Sequence, residues 1–172
     1  MKSRRESVLK FATIVLLMLV GSALVTPGHA QRAGGNGGGN GGGGGGSGGG
    51  FCQITLLQAG NLAASIDNMA LSSRLAGGAA GIANVETDKQ NYEISIDAMQ
   101  GFNQSPIGGS DDMNMSVLYS GTGSTNFSET AGNLSVGLNK GITRVETHLV
   151  AVRNTDPFPA GDYGAELILR CE

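Results

Sequence analysis

Two cysteines, Cys52 and Cys171, bracket a polar segment patterned for β-strands. Each falls in phase with apolar neighbours: Cys52 alternates with Ile54 and Leu56, and Cys171 with Leu167 and Leu169. If both faces point inward, and the first and last strands neighbour or face one another, the two sulfurs meet at disulfide distance. An even cysteine count behind an export leader predicts that bond rather than two free buried thiols. The closed loop holds about 118 residues, which the chain-entropy model values at about 4–5 kcal/mol. That is comparable to the whole net stability of a small domain. Neither cysteine has a second ligand at close spacing, so metal binding by the pair is not expected.

The leader lies at the N-terminus. Lys2, Arg4, Arg5 and Lys10 make a basic start, and Phe11 to Val25 is largely apolar. Small residues at Gly28 and Ala30 fit a small-x-small cleavage pattern, which places the cut after Ala30 and makes residues 1–30 a signal peptide. The competing reading is a membrane anchor. The apolar run of about 15 residues falls short of the roughly 20 that a spanning helix needs, and Pro27 follows it. No membrane span is therefore expected after cleavage, and the product is expected to be secreted, in a periplasm or at an extracellular surface.

Removing residues 1–30 takes away four bases and one acid, leaving 7 Lys+Arg against 13 Asp+Glu, a net of −6. Phosphate backbones need clustered Lys and Arg. No such cluster exists in the remainder, so nucleic acid is excluded as a partner. Residues 31–50 form a linker dominated by glycine; within 33–50 only Ala33, Asn36, Asn40 and Ser47 interrupt it. Glycine loses the most backbone entropy on ordering, and this stretch has no side chains to bury in return. It reads as a flexible coil with a root-mean-square span of roughly 20–25 Å, either a tether or a neutral insertion. A phosphate-cradling loop is ruled out, since no Lys-Ser or Lys-Thr follows.

Residues 51–172 then make one domain of ordinary size. Period-2 alternation recurs through it. Inward sets are Tyr92/Ile94/Ile96, Met113/Met115/Val117/Tyr119, Leu134/Val136/Leu138, Val145/Thr147/Leu149/Ala151 and Tyr163/Ala165/Leu167/Leu169/Cys171, with a further strand near Ile82–Glu86. Turns are expected at Gly77-Gly78, from Ser105 to Gly109, at Gly121-Thr122-Gly123, at Asn139-Lys140-Gly141 and from Pro157 to Gly161. Residues 58–80 are ambiguous: 62–66 fit a short strand, and 69–75 fit a helical turn or an edge strand. Short strands with turns about every ten residues predict an all-β fold, an antiparallel β-sandwich of immunoglobulin-like shape. The expected core includes Ile54, Leu56, Ile94, Ile96, Val117, Leu149, Leu167 and Leu169.

Chemistry is sparse. After residue 30 the one histidine is His148, on the polar phase of its strand, and no G-x-S-x-G elbow accompanies it. It reads as a surface residue. Asp111-Asp112 with Asn114 offers oxygens to calcium but lacks the D-x-[DN]-x-[DN]-G spacing and the bidentate Glu. Glu93, Glu146 and Glu166 supply carboxylates of the kind glycosidases pair, as any acidic sandwich does. Asn103, Asn114, Asn126 and Asn133 begin Asn-x-Ser sequons, which matter only where asparagine is glycosylated. No cofactor, metal site or catalytic set is expected.

The stretch from Val145 to Val152, and then Pro157-Phe158-Pro159-Ala160-Gly161-Asp162-Tyr163 leading into Leu167 and Leu169, resembles the closing strands of bacterial pilin-like domains. These are the spore coat protein U group and related archaic chaperone–usher pilins. The resemblance covers about a third of the domain. It implies an incomplete immunoglobulin-like sandwich whose missing strand is donated by a neighbour's N-terminal extension. It also implies partners that are pilus-like subunits or cell-surface components. Two features depart from that pattern. Residues 33–50 contain no large apolar side chains to act as a donor, and Cys171 ties the final strand back to the first. The functional expectation is a secreted or surface-displayed, non-enzymatic structural or adhesive protein. The alternative is a small ligand- or calcium-binding module or hydrolase using carboxylates near Asp111.

Overall fold

The computed structural model describes residues 7–15, 50–97, 99 and 101–172. The cleavage site and the glycine tract of residues 31–49 lie outside the described residues. Eleven strands appear among those described: β1 (Ser7–Val15), β2 (Cys52–Gln58), β3 (Ala63–Ala64), β4 (Ala70–Ser72), β5 (Gly81–Thr87), β6 (Tyr92–Ile96), β7 (Met113–Gly123), β8 (Phe127–Ala131), β9 (Val136–Leu138), β10 (Gly141–Arg153) and β11 (Tyr163–Cys171). All pair antiparallel. The fold is all-β.

Strict alternation makes the two longest-range strands. On β10, Thr143, Val145, Thr147, Leu149, Ala151 and Arg153 are buried while every residue between them is more exposed. On β11 the buried set is Tyr163, Ala165, Leu167, Leu169 and Cys171. Such a period of two gives a strand with one face on a core. β10 is the spine of the larger sheet. One of its edges pairs with β7 along residues 143–153; its other edge pairs first with β5 and then with β4. β2 extends that sheet beyond β5, β3 beyond β4, and β8 beyond β7. The smaller sheet runs β1-β11-β6-β9.

The two sheets share their cores. One cluster joins Ala83, Val85 and Val145 of the larger sheet to Ile94, Ile96, Leu138, Leu167 and Leu169 of the smaller, with Cys52 and Cys171 among them. A second joins Leu62, Leu71, Leu149 and Ala151 to Phe158, Tyr163 and Ala165. Val117 and Met99 pack against both clusters.

Most expected core positions are buried, with one clear exception. Leu56 is 38% exposed and Ile54 only partly buried. β2 carries a bulge between Leu56 and Gln58, which leaves Leu57 as an extra residue against β5. Leu56 keeps its phase opposite the buried Ala83 but lies on the end strand of the larger sheet, where all residues from Thr55 to Gln58 are exposed. Leu134 is also exposed, because β9 begins only at Val136. Gly121-Thr122-Gly123, expected as a turn, instead ends β7. A Cβ on Gly121 would sit 2.1 Å from Phe127, so glycine there lets the ring of β8 lie across its neighbour. The ambiguous region resolves into the short strands β3 and β4.

Tyr119 is the largest fully buried side chain. Its hydroxyl lies 2.9 Å from the Ile94 carbonyl and 2.6 Å from that of Leu134. It can donate to either, and so ties the larger sheet to the smaller. Burial pushes its pKa up to about 12. Phe127 packs edge-on against it at 5.3 Å. Tyr119→Phe should keep the ring packing but remove the hydroxyl that caps the buried Ile94 carbonyl and reaches that of Leu134, lowering stability by about 1–2 kcal/mol in urea unfolding.

Candidate functional site

The structure brings together the features that the sequence set at opposite ends of the domain. Cys52 on β2 and Cys171 on β11 form a disulfide across the two sheets, with Cα atoms 6.3 Å apart. The strands face one another rather than pair. Within the sheets, Cys171 lies opposite Ile94 of β6, and Cys52 opposite Thr87 of β5.

β11 itself has an unusual supply of partners. Along one edge β6 covers only Leu169, Arg170 and Cys171. The chain then continues beside it without ladder geometry: Asp97 donates its amide to Ile168, and Gln104 forms a bridge with Gly164. Arg170 makes a two-pronged ion pair with Asp97, holding Asp97 below the usual carboxylate range. Along the opposite edge all nine residues pair with β1, from Ser7 opposite Cys171 to Val15 opposite Tyr163. β1 also lies near β2. So the edge of β11 is completed by residues that the sequence assigns to a removable leader. Sequence patterning gave no hint of this pairing, since an apolar run beside basic residues signals export equally well.

The turn that leads into β11 is built as its residues suggest. The Tyr163 ring is buried, and its hydroxyl donates to the Pro159 carbonyl at 2.7 Å. Phe102 and Phe158 pack edge-on against it at 5.0 and 5.5 Å. Gly161 has φ +150°, and a Cβ there would lie 2.5 Å from Pro106.

The candidate chemical residues do not converge. Glu146 lies on the outer face of the larger sheet and Glu93 and Glu166 on the smaller one. Glu172 exchanges backbone hydrogen bonds with Glu93, so Glu93 and Glu166 stand six residues apart along the sheet, about 20 Å. That exceeds any glycosidase pair. Both Asp112 carboxylate oxygens are taken: Thr155 Oγ1 donates at 2.6 Å and Asn154 Nδ2 at 3.2 Å. These bonds lower its pKa and pin one loop to another. Asn114 donates to Asn154 rather than joining Asp111. Among the described residues no cluster of three His, Cys, Asp or Glu side chains forms, and no helix is long and apolar enough to cross a membrane. All four sequon asparagines are exposed.

His148 is less a surface residue than its phase implies. It is half-buried, and Ser73 Oγ lies 3.1 Å from its Nδ1. Leu149 donates its amide to the same Ser73 oxygen at 3.2 Å, so the hydroxyl proton is free to point at the ring. Ser73 is buried and also donates its own amide to the Leu149 carbonyl, continuing the β4–β10 ladder. Among the described residues no carboxylate is hydrogen-bonded to the ring. The arrangement is a clip between strands.

No family model, curated protein or solved structure matches the chain.

Two outcomes follow from this geometry. Replacing Cys52 and Cys171 together by alanine removes a link across a sequence separation of 119 residues; the chain-entropy model puts the loss at about 4–5 kcal/mol, to be read from unfolding midpoints. Burial and Arg74 depress the His148 pKa below 6.5. The unfolded chain therefore binds a proton that the folded one refuses, and stability should fall as pH drops from about 6.5 toward the folded pKa. His148→Gln should flatten that part of the stability–pH curve.

Proposed function

We propose that this chain is an exported, non-enzymatic structural or adhesive module of pilin-like, immunoglobulin-like kind. It acts at a cell surface or outside the cell and takes a strand from a partner along β11. The single observation that carries this is the pairing of all nine residues of β11 with a segment outside the 51–172 domain. If cleavage falls after Ala30, that segment is gone. The remaining sandwich then offers an open edge of alternating buried residues. An open edge is a template for another chain, and strand addition supplies affinity through main-chain hydrogen bonds and specificity through alternate side chains. Supporting features are the cross-sheet disulfide, which suits an oxidising compartment, and the exposed Leu56 and Leu57 on β2 beside that edge. The glycine-dominated residues 31–50 hold no alternating large apolar side chains. The strand therefore comes from a different protein, a pilus-like subunit or another surface component, and not from a second mature copy.

Exported protein, isolated from its source without heating, should migrate as a complex with one other polypeptide and resolve to the bare chain on boiling. A homopolymeric ladder would contradict the donor assignment. An unheated monomer whose amides at Tyr163, Ala165, Leu167 and Leu169 already exchange slowly would remove the case for an open edge.

A further inference from the structure

Residues 7–15 belong to two descriptions at once. The sequence sets them in a leader that cleavage after Ala30 removes, and the fold sets them along β11. We propose that they are a detachable edge strand: while joined to the chain they close β11 of their own sandwich, and their removal hands that edge to a strand from another molecule. This rests on the strand-accepting role proposed above and adds the control of that edge by the chain's own N-terminus.

Completeness of pairing is the first support. Over Tyr163–Ile168, β1 is the one strand laddered to β11 among the described residues, because β6 reaches only Leu169–Cys171. Register is the second. Val15, Thr13, Phe11, Leu9 and Ser7 stand opposite the buried Tyr163, Ala165, Leu167, Leu169 and Cys171. Val8, Lys10, Ala12 and Ile14 stand opposite Arg170, Ile168, Glu166 and Gly164. The single charged residue of the segment, Lys10, thus falls at a position opposite the outward set. A slip of one residue would set it opposite a core position, which fixes the register.

Connection within one chain is the third support. β1 ends beside Tyr163, whereas β2 begins at Cys52, bonded to Cys171 at the other end of β11. Those ends are about 27 Å apart at the rise of an antiparallel strand, well within the reach of the residues between them. Joining makes the pairing intramolecular, which puts a free strand of equal intrinsic affinity at a disadvantage. Attachment therefore closes the edge, and cleavage opens it. The covalent step is hydrolysis of the Ala30–Gln31 peptide bond by a leader-cleaving protease: water adds across the bond, leaving a carboxylate on Ala30 and an amine on Gln31. The new N-terminal segment offers no replacement strand.

The test uses the full chain with a site-specific protease sequence placed within residues 38–46, followed by amide hydrogen exchange before and after cutting and removal of the N-terminal fragment. The expected result is that the amides of Tyr163, Ala165 and Leu167, which face β1, exchange at least tenfold faster once the fragment is gone, while Gly164, bonded to Gln104 on the other edge, and the amides of β10 are unchanged. A synthetic peptide of residues 7–15 should bind the cut chain one to one and restore the slow exchange. In the uncut chain, Thr13→Pro, which removes an amide that faces β11 opposite Ala165, should give the fast pattern at Tyr163, Ala165 and Leu167 with β10 still protected and the disulfide intact by mass. If the amides of Tyr163, Ala165 and Leu167 exchange equally fast in cut and uncut chains while the peptide is still captured, self-closure is wrong and the open edge stands. If they stay slow after cutting and the peptide does not bind, both the self-closure and the strand-accepting edge are wrong.

Discussion

The cross-sheet contact at Cys52 and Cys171 is the constraint on which the other interactions depend. The domain has little aromatic mass with which to hold two sheets together. Tyr119, Phe127, Phe102, Phe158 and Tyr163 supply the ring–ring contacts, and the rest of the core is aliphatic or small. Much of the face of β10 is threonine and alanine. Burial on that scale opposes a large loss of chain entropy with a narrow margin. A link closing nearly the whole domain reduces the entropy of the unfolded chain, which is where a lean core gains most.

Around that link the structure divides its polar groups by task. Tyr119 spans the sheets and satisfies carbonyls of two segments. Ser73 and His148 clip a short strand to the spine of the larger sheet. Asp112 fastens the 111–114 region to residues 154–155. Arg153, buried at the end of β10, donates to the Gly108 carbonyl and lies over the Phe158 ring. Each of these joins elements distant in sequence, as a fold made of non-local strand pairings requires. The cavity lined by Ser73, Thr147 and Leu149 is about 10 Å³, room for about one water.

The sequence made the long strands legible because their alternation is strict and one-sided. β10 and β11 could be read residue by residue, and so could the partners of the disulfide, since both cysteines shared a phase with large aliphatic residues. Legibility failed where position in the sheet rather than alternation decides burial. Leu56 keeps its phase opposite Ala83 but lies on the end strand β2 and is exposed, and the close approach of Phe127 to Gly121 let a glycine pair continue a strand. β8, Phe-Ser-Glu-Thr-Ala, has too weak an alternation to declare itself and exists through its pairing with β7. The candidate edge was hidden for another reason. Whether a strand is central or terminal depends on tertiary pairing, which periodicity within one segment does not encode.

The geometry of the sulfur bridge also has a mechanical side. The glycine tract enters the domain at residue 51, one position before Cys52, and Cys52 is bonded directly to the strand that carries the candidate edge. Tension applied to the chain N-terminal to residue 51 and resisted by a strand on β11 would pass from residue 51 through two side chains and into β11. The 118 residues between the cysteines would lie off that path. Pulling could then shear the partner strand away, but it could not unravel the sandwich, because the slack it would need is closed by a covalent bond.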